Sequence, residues 1–166
     1  MKKFFIIACC AGMSLVSRAQ KVSQPPTLPD NIKWMHISSG YPNNINVRAV
    51  RDFVKRVKPT PDAEWSSANT GFTVKYMLGD RHCRTVYNKR GEFLYTVRQY
   101  SESLMPRDVR TAVKSRYFDH SITLVEELER PTLPLTYIVH MQDATTIINV
   151  TVIDGQIEAV EDYIKG

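Results

Sequence analysis

The stretch that decides the fold is GFTVKYMLGDRHCRTVYNKRGEFLYTVRQY, residues 71–100. Apolar and polar side chains alternate in three short runs, which predicts β-strands that each have one apolar face. Gly79 and Asp80 form the first turn. The second turn ends at Gly91, where glycine permits the positive φ of a hairpin. We therefore expect consecutive antiparallel strands here.

On the N-terminal side, a helix and a short strand at residues 63–68 lead into this stretch. Asn46 is a candidate N-cap, and Pro59 and Pro61 end the helix. The apolar positions of the helix recur at helical spacing and are Val47, Val50, Val54 and Val57. Another side of the helix carries Arg48, Arg51 and Lys55, which either bind anions or form the solvated face.

On the C-terminal side, the same order of elements occurs again. Pro106 suits the first turn of a second helix, four strands follow it, and Asp154 and Gly155 form the last hairpin turn. One helix and four strands thus occur in residues 45–101 and again in residues 102–166. The pattern predicts an α+β fold, a tandem repeat of one helix plus four antiparallel strands, with both helices packed on one face of the sheet.

The N-terminus has the layout of a secretory signal peptide at residues 1–19. Lys2 and Lys3 precede an apolar run at residues 4–16, and small residues lie at the −3 and −1 positions before Gln20. Export to the periplasm or the extracellular space follows. Lipidation of Cys9 is the alternative, although the apolar run before Cys9 is short for that purpose.

Residues 20–44 form a proline-rich extended leader that either docks on the domain through Trp34, Met35 and Ile37 or acts as a spacer. The domain itself is expected at residues 45–166. Once the signal peptide is removed, we expect no transmembrane anchor.

Cleavage also changes the charge and the cysteine count. Lys2, Lys3 and Arg18 are lost, so 22 basic and 17 acidic side chains become 19 and 17, and the net charge falls from +5 to about +2. This weakens any case for nucleic-acid binding, and we expect none. Cys83 remains as the one cysteine, so we expect no internal disulfide. It is a small strand residue, a reactive thiol or half of an intermolecular disulfide.

Six segments of the chain together carry a family resemblance. They are VRAVRDFVKRVKPTPDAEW (47–65), GFTVKYM (71–77), VYNKRGEFLYTVRQY (86–100), MPRDVRTAVKSRYFD (105–119), TYIVHMQD (136–143) and VIDGQIEAVEDY (152–163). Together they resemble the PepSY-like family of exported Bacteroidetes proteins, also described as beta-lactamase-inhibitor-like. The resemblance covers about residues 45–165. It implies the fold of the beta-lactamase inhibitory protein, in which a concave sheet face and its loops grip an enzyme. PepSY domains are linked to the inhibition of peptidases.

The sequence contains no recognisable catalytic or phosphate-binding motif. No serine-hydrolase elbow, zinc-protease helix, Cys-x-x-Cys pair or phosphate loop is present, and the four histidines have no ligand-like spacing. The sequence therefore predicts a protein that is not an enzyme and has no cofactor or metal. An alternative is a small-ligand or ion-sensing domain, whose acidic candidates are Glu126, Glu127, Glu129, Glu158, Glu161 and Asp162.

The positive functional signal is aromatic placement on the predicted strands. Tyrosine and arginine on a rigid sheet suit protein recognition, because they offer a large contact area for little lost entropy. The candidate protein-binding face is Tyr76, Tyr87, Tyr95, Arg98, Tyr100 and Tyr137. Alternatively these tyrosines pack in the core. By strand parity Tyr95 and Arg98 point to opposite faces, so only one of them can lie in a recognition surface.

Overall fold

The computed structural model describes residues 45–57 and 62–165. The predicted signal peptide at 1–19 and leader at 20–44 lie outside the described residues. The elements are α1 (Val47–Arg56), β1 (Glu64–Ala68), β2 (Gly71–Leu78), β3 (Arg81–Asn88), β4 (Phe93–Tyr100), a single 3-10 turn (Glu102–Leu104), α2 (Arg107–Arg116), β5 (Ser121–Glu129), β6 (Thr136–Gln142), β7 (Thr146–Ile153) and β8 (Gln156–Ile164).

All eight strands form one antiparallel sheet in the order in which they occur along the chain. Each strand pairs with its sequence neighbour, so the sheet is a meander with no crossover. The predicted α+β class and antiparallel sheet are confirmed. No helix among the described residues has the length and hydropathy needed to cross a bilayer.

The two edges of the sheet differ in exposure and charge. β1 is short, whereas β8 has nine residues, of which eight are exposed. Three of these exposed residues are the carboxylates Glu158, Glu161 and Asp162. β8 is therefore a long edge strand that carries negative charge.

Helix α1 is fixed at its start to the turn between β3 and β4. The Asn46 side chain accepts a hydrogen bond from the Arg48 N–H at 2.9 Å, which caps the helix as predicted. The same side chain donates to the Lys89 carbonyl at 3.1 Å. Helix α1 and this hairpin turn are thereby positioned against each other.

A first core lies between α1 and the strands of the first half. Phe53 meets Trp65 and Tyr76 edge to face, with ring centroids 5.5 Å and 5.1 Å apart. The remaining buried members of this core are Ala49, Val50, Ala63, Val74, Cys83 and Tyr87.

A second core lies between α2 and the strands of the second half. Val109 and Val113 project from α2 and are almost completely buried. They pack with Tyr100, Met105, Val125, Val139, Met141, Ile148, Val150 and Val152.

Both cores lie on the same side of the sheet, as the strand register shows. Tyr76 pairs with Cys83 and Cys83 pairs with Arg98, so these three side chains share a face. Tyr100 is two residues beyond Arg98 and pairs with Val125 of the second core. We call this side the helix face and the opposite side the open face. The prediction that both helices pack on one face agrees with this geometry.

Candidate binding face

The open face has an apolar centre in the middle strands. Val86 pairs with Tyr95 across β3 and β4, and Val97 pairs with Leu128 across β4 and β5. Ile138 on β6 has the same orientation. All five side chains are half-buried, although no helix among the described residues covers this side. The open face thus presents apolar surface supported by its own neighbours.

A polar row crosses the open face beside this apolar centre. Gln99 Nε2 donates to Glu126 Oε1 at 2.7 Å, and His140 Nδ1 lies 2.8 Å from Asn149 Oδ1. Glu126 Oε2 lies 3.9 Å from His140 Nε2. These contacts join strands β4 to β7 and hold the side chains in fixed positions, which reduces the entropy lost when a partner binds.

A cleft of about 540 Å³ opens beside the apolar centre, towards β1. Lys75 and Arg84 face each other across β2 and β3 and line it. Its other lining residues include Met77, His82, Val97 and Gln99, with Asp62 and Glu64 on the β1 side. The cleft combines charged and apolar surface.

The predicted site residues do not share one face, which corrects the expectation of a common tyrosine surface. Tyr76, Tyr87 and Tyr100 are 4%, 0% and 3% exposed and lie in the cores under the helices. Burial raises the pKa of each of the three hydroxyl groups above its usual range. The alternative interpretation, that tyrosines pack in the core, holds for these three.

Arg98 and Tyr137 also lie on the helix face. Arg98 Nη1 donates to Glu127 Oε1 at 2.7 Å, Arg98 Nη2 contacts Glu129, and the Tyr100 hydroxyl donates to Glu127 Oε2 at 2.9 Å. We call Arg98, Glu127, Glu129 and the Tyr100 hydroxyl the polar seam, because these polar groups lie at the boundary between the two cores. Tyr137 is partly buried against the second core.

Tyr95 is the one member of the predicted set on the open face, where it pairs with Val86. The predicted opposite orientation of Tyr95 and Arg98 agrees with the register. Val97, Leu128 and Ile138 were not in the predicted set. A signal for Val97 was present in the sequence, because Tyr95 and Val97 share one parity while Thr96 and Tyr100 occupy the other. Phe93 has the parity of Tyr95, but the register shift between β3 and β4 places it opposite Tyr87, against the first core.

Three of the six acidic side chains proposed for ion sensing are engaged with other residues, whereas the three on β8 are exposed. Glu127 and Glu129 contact Arg98, and Glu126 accepts from Gln99. In this part of the described chain, the carboxylates that would have to bind calcium therefore already have partners.

A separate cluster of Asp119, His120 and Asp143 has a spacing that could hold a metal ion. His120 Nδ1 lies 2.9 Å from Asp119 Oδ1, and Asp143 Oδ1 accepts from the N–H groups of Thr145 and Thr146 at 2.7 Å and 2.6 Å. Those two N–H groups lower the pKa of Asp143. The hydrogen bonds that Asp143 accepts close the turn between β6 and β7.

Proteins of known structure share this fold. A BLIP-like protein from Bacteroides fragilis superposes with a TM-score of 0.64 at 16% identity, over 77% of this chain and 92% of that one. The chain has the BLIP-like fold. A DUF2874 family protein from Bacteroides ovatus gives 0.61 at 13% identity, over 69% and 85% of the two chains. A protein from Bacteroides eggerthii, provisionally named periplasmic, gives 0.61 at 11% identity, over 74% and 90%.

At these identities the likeness shows the fold alone. The expected beta-lactamase-inhibitor-like fold is confirmed. No protein-family model and no curated protein matches the chain. The PepSY-like label therefore rests on the resemblance of the sequence segments.

Proposed function

We propose that this chain is an exported, non-catalytic binding module that recognises a protein partner through the open face of its sheet. The observation that carries the proposal is the half-buried apolar centre of that face, with Tyr95 among its members. Apolar and aromatic side chains at the centre of a surface, with polar groups around them, are typical of protein interfaces.

The size of the open face favours a protein over a small ligand. Seven inter-strand spacings of about 4.8 Å, and strands of about eight residues at about 3.3 Å each, give roughly 34 Å by 26 Å, about 900 Å². A stable protein interface needs about 800 Å² from each partner. The open face is thus large enough to be a complete binding surface.

The one cysteine of the described chain does not favour catalysis. Cys83 is buried on the helix face, and burial raises the pKa of its thiol, which makes it a poor nucleophile. His82 points to the opposite face and cannot activate it.

We propose further that the partner is an envelope or secreted enzyme that the chain inhibits. The signal-peptide pattern and the neighbour provisionally named periplasmic support an exported location. The name of the BLIP-like neighbour supports the inhibitory role. Tyr95 and its apolar neighbours would contact the enzyme.

Site-specific photocrosslinking tests the binding face. A benzophenone amino acid replaces Tyr95 or Val97 on the open face, or Arg110 on the exposed side of α2 as the matched control, in the full chain secreted by its host. We expect adducts with the same protein from the two open-face positions and none from position 110. Equal adducts from α2, or none from the open face, would refute the proposal.

The ion-sensing alternative makes a different prediction. If the carboxylates bound calcium, added Ca²⁺ would raise the melting temperature through linkage. We expect no rise, because Glu126, Glu127 and Glu129 already have partners. On β8, the adjacent Glu161 and Asp162 point to opposite faces of the strand and cannot bind one ion together. A concentration-dependent rise would revive the alternative.

We also propose that residues 45–101 and 102–166 are tandem copies of one unit in a PepSY-like domain. Each half has one helix followed by four strands. A register shift falls between the third and fourth strands of both halves, at Val86/Tyr87 and at Thr151/Val152, just before the hairpin turn. N-terminal sequencing of the secreted chain tests the predicted boundary between the signal peptide and the leader, with Gln20 as the expected first residue.

A further inference from the structure

Two cations of the open face lie side by side without a partner. The β2–β3 register places Lys75 directly opposite Arg84, so their Cβ atoms are about 5 Å apart. Both side chains are exposed. Neither makes an ion pair or a side-chain hydrogen bond with another residue of the described ranges. Like charges directly opposite on a sheet destabilise it.

The neighbours of the pair do not neutralise both charges. Glu64 lies opposite Lys75 on the outer side, but the two side chains do not form an ion pair. Arg84 has the apolar Val97 on its inner side. An anion bound between the two side chains would offset this loss of stability.

We infer that Lys75 and Arg84 form the seat for an acidic side chain of the protein partner. This inference rests on the proposed function of the open face and names the chemistry of its partner. The pair lines the 540 Å³ cleft together with Met77 and Val97. The cleft therefore receives a carboxylate carried on an apolar stem, and a glutamate side chain has that form.

The acidic residues of the cleft favour a single carboxylate over a polyanion as its ligand. Asp62 and Glu64 line the side of the cleft formed by β1. They repel a nucleic acid or a row of phosphates, whereas a single carboxylate can lie on the Arg84 side of the pair, one strand further from Glu64 than Lys75 is. One glutamate or aspartate in a protein loop therefore fits better than a polyphosphate surface.

A peptide titration followed by NMR tests the seat without the natural partner. The probe is a capped peptide of Glu flanked by Leu and Ser, and its control has Gln in place of Glu. We expect the Glu peptide to shift the amide signals of Lys75 and Arg84, and the Gln peptide to leave them unchanged. Shifts of equal size with both peptides, or none with either, would overturn the inference.

Matched variants separate the seat from general attraction to a basic protein. Lys75→Gln with Arg84→Gln removes the pair. Arg51→Gln with Lys55→Gln removes two exposed cations of α1 that also make no ion pair within the described ranges. We expect the first variant to weaken binding of the Glu peptide about fivefold and the second to change it less than about twofold. Equal losses would contradict a localised seat.

The photocrosslinking assay distinguishes the two proposals. If the adduct from Tyr95 persists undiminished when Lys75 and Arg84 are replaced, the acidic seat is wrong and the binding face stands. If no open-face position gives an adduct, the binding face fails, and the peptide titration still decides whether the cation pair accepts a carboxylate.

Discussion

At the scale of single residues, two glycines with nearly the same backbone conformation have different surroundings. Gly91 has φ +75° and Gly155 has φ +73°, both in the left-handed region. A Cβ at Gly91 would lie 2.8 Å from the Ala49 nitrogen and 2.9 Å from the Asn46 side chain. A Cβ at Gly155 would meet open space. Gly91 thus allows the β3–β4 hairpin to approach the start of α1.

This difference predicts unequal effects of alanine. Gly155→Ala adds only the left-handed strain and is expected to cost about 1 kcal/mol of unfolding free energy. Gly91→Ala adds a collision with helix backbone and is expected to cost about 3 kcal/mol. Urea unfolding of the two variants measures both. Equal costs would show that the contact with α1 contributes nothing.

Asp143 shows how backbone contacts change an ionisation. The N–H groups of Thr145 and Thr146 hold the pKa of this carboxyl below its usual range. Its charged form therefore stabilises the folded state above the ordinary pKa of about 3.9, and this contribution is lost as the pH falls towards the folded-state pKa.

A pH series on Asp143→Ala checks this sign. We expect the variant to be less stable than the wild type at neutral pH, and the difference between them to shrink as the pH falls below about 4. The urea midpoint at each pH is the measurement. A difference that grows on acidification would mean that the charged carboxylate destabilises the fold.

At the scale of elements, the polar seam joins the two halves of the sheet. Arg98 on β4 is 20% exposed, and its partner Glu127 on β5 is 13% exposed. The Tyr100 hydroxyl also donates to Glu127. Because both charges are largely shielded from water, removal of one leaves the other poorly compensated.

Replacing the arginine of the polar seam should lower the unfolding free energy more than replacing the arginine of a surface ion pair. Arg98→Met is expected to lower the unfolding free energy by about 2–3 kcal/mol, because the shielded Glu127 loses its cation, whereas Glu129 keeps its ion pair with Arg56. The matched control is Arg110→Met in the exposed pair with Glu102, at 52% and 35% exposure, which should cost less than about 1 kcal/mol. Chemical denaturation compares them. A loss at Arg98 no larger than the loss at Arg110 would contradict the shielding.

The helices and strands were largely predictable from sequence, whereas the side of the sheet on which each strand residue lies was not. Alternation placed Tyr76, Tyr87 and Tyr95 on strands, since period two is a local property. Which parity lies under a helix depends on where α1 and α2 pack, and that is decided by contacts distant in sequence. For this reason Tyr76 and Tyr87 are core residues, and the apolar centre of the open face was only partly foreseen.

At the scale of the whole molecule, two cores share one continuous sheet. The strands β4 and β5 pair over five residue positions at the boundary between them. The polar seam lies at the same boundary. The halves therefore should unfold together, because opening either one exposes the other's sheet edge and its charges.

A two-probe unfolding experiment tests this coupling. In Trp34→Phe the remaining tryptophan is Trp65, which lies in the first core and reports on it. We expect its fluorescence transition to coincide with the far-UV circular dichroism transition, which averages over both halves. A fluorescence midpoint at clearly lower denaturant would show that the halves unfold separately.

The acidic edge strand β8 has a consequence for how the protein behaves when it is concentrated. A long exposed edge offers free backbone groups to another copy, and such pairing starts fibrils. Glu158, Glu161 and Asp162 place like charges on every copy, so two β8 edges repel each other. Salt screens that repulsion. The barrier to pairing of two β8 edges is therefore electrostatic, and high ionic strength should be the condition in which filaments first form.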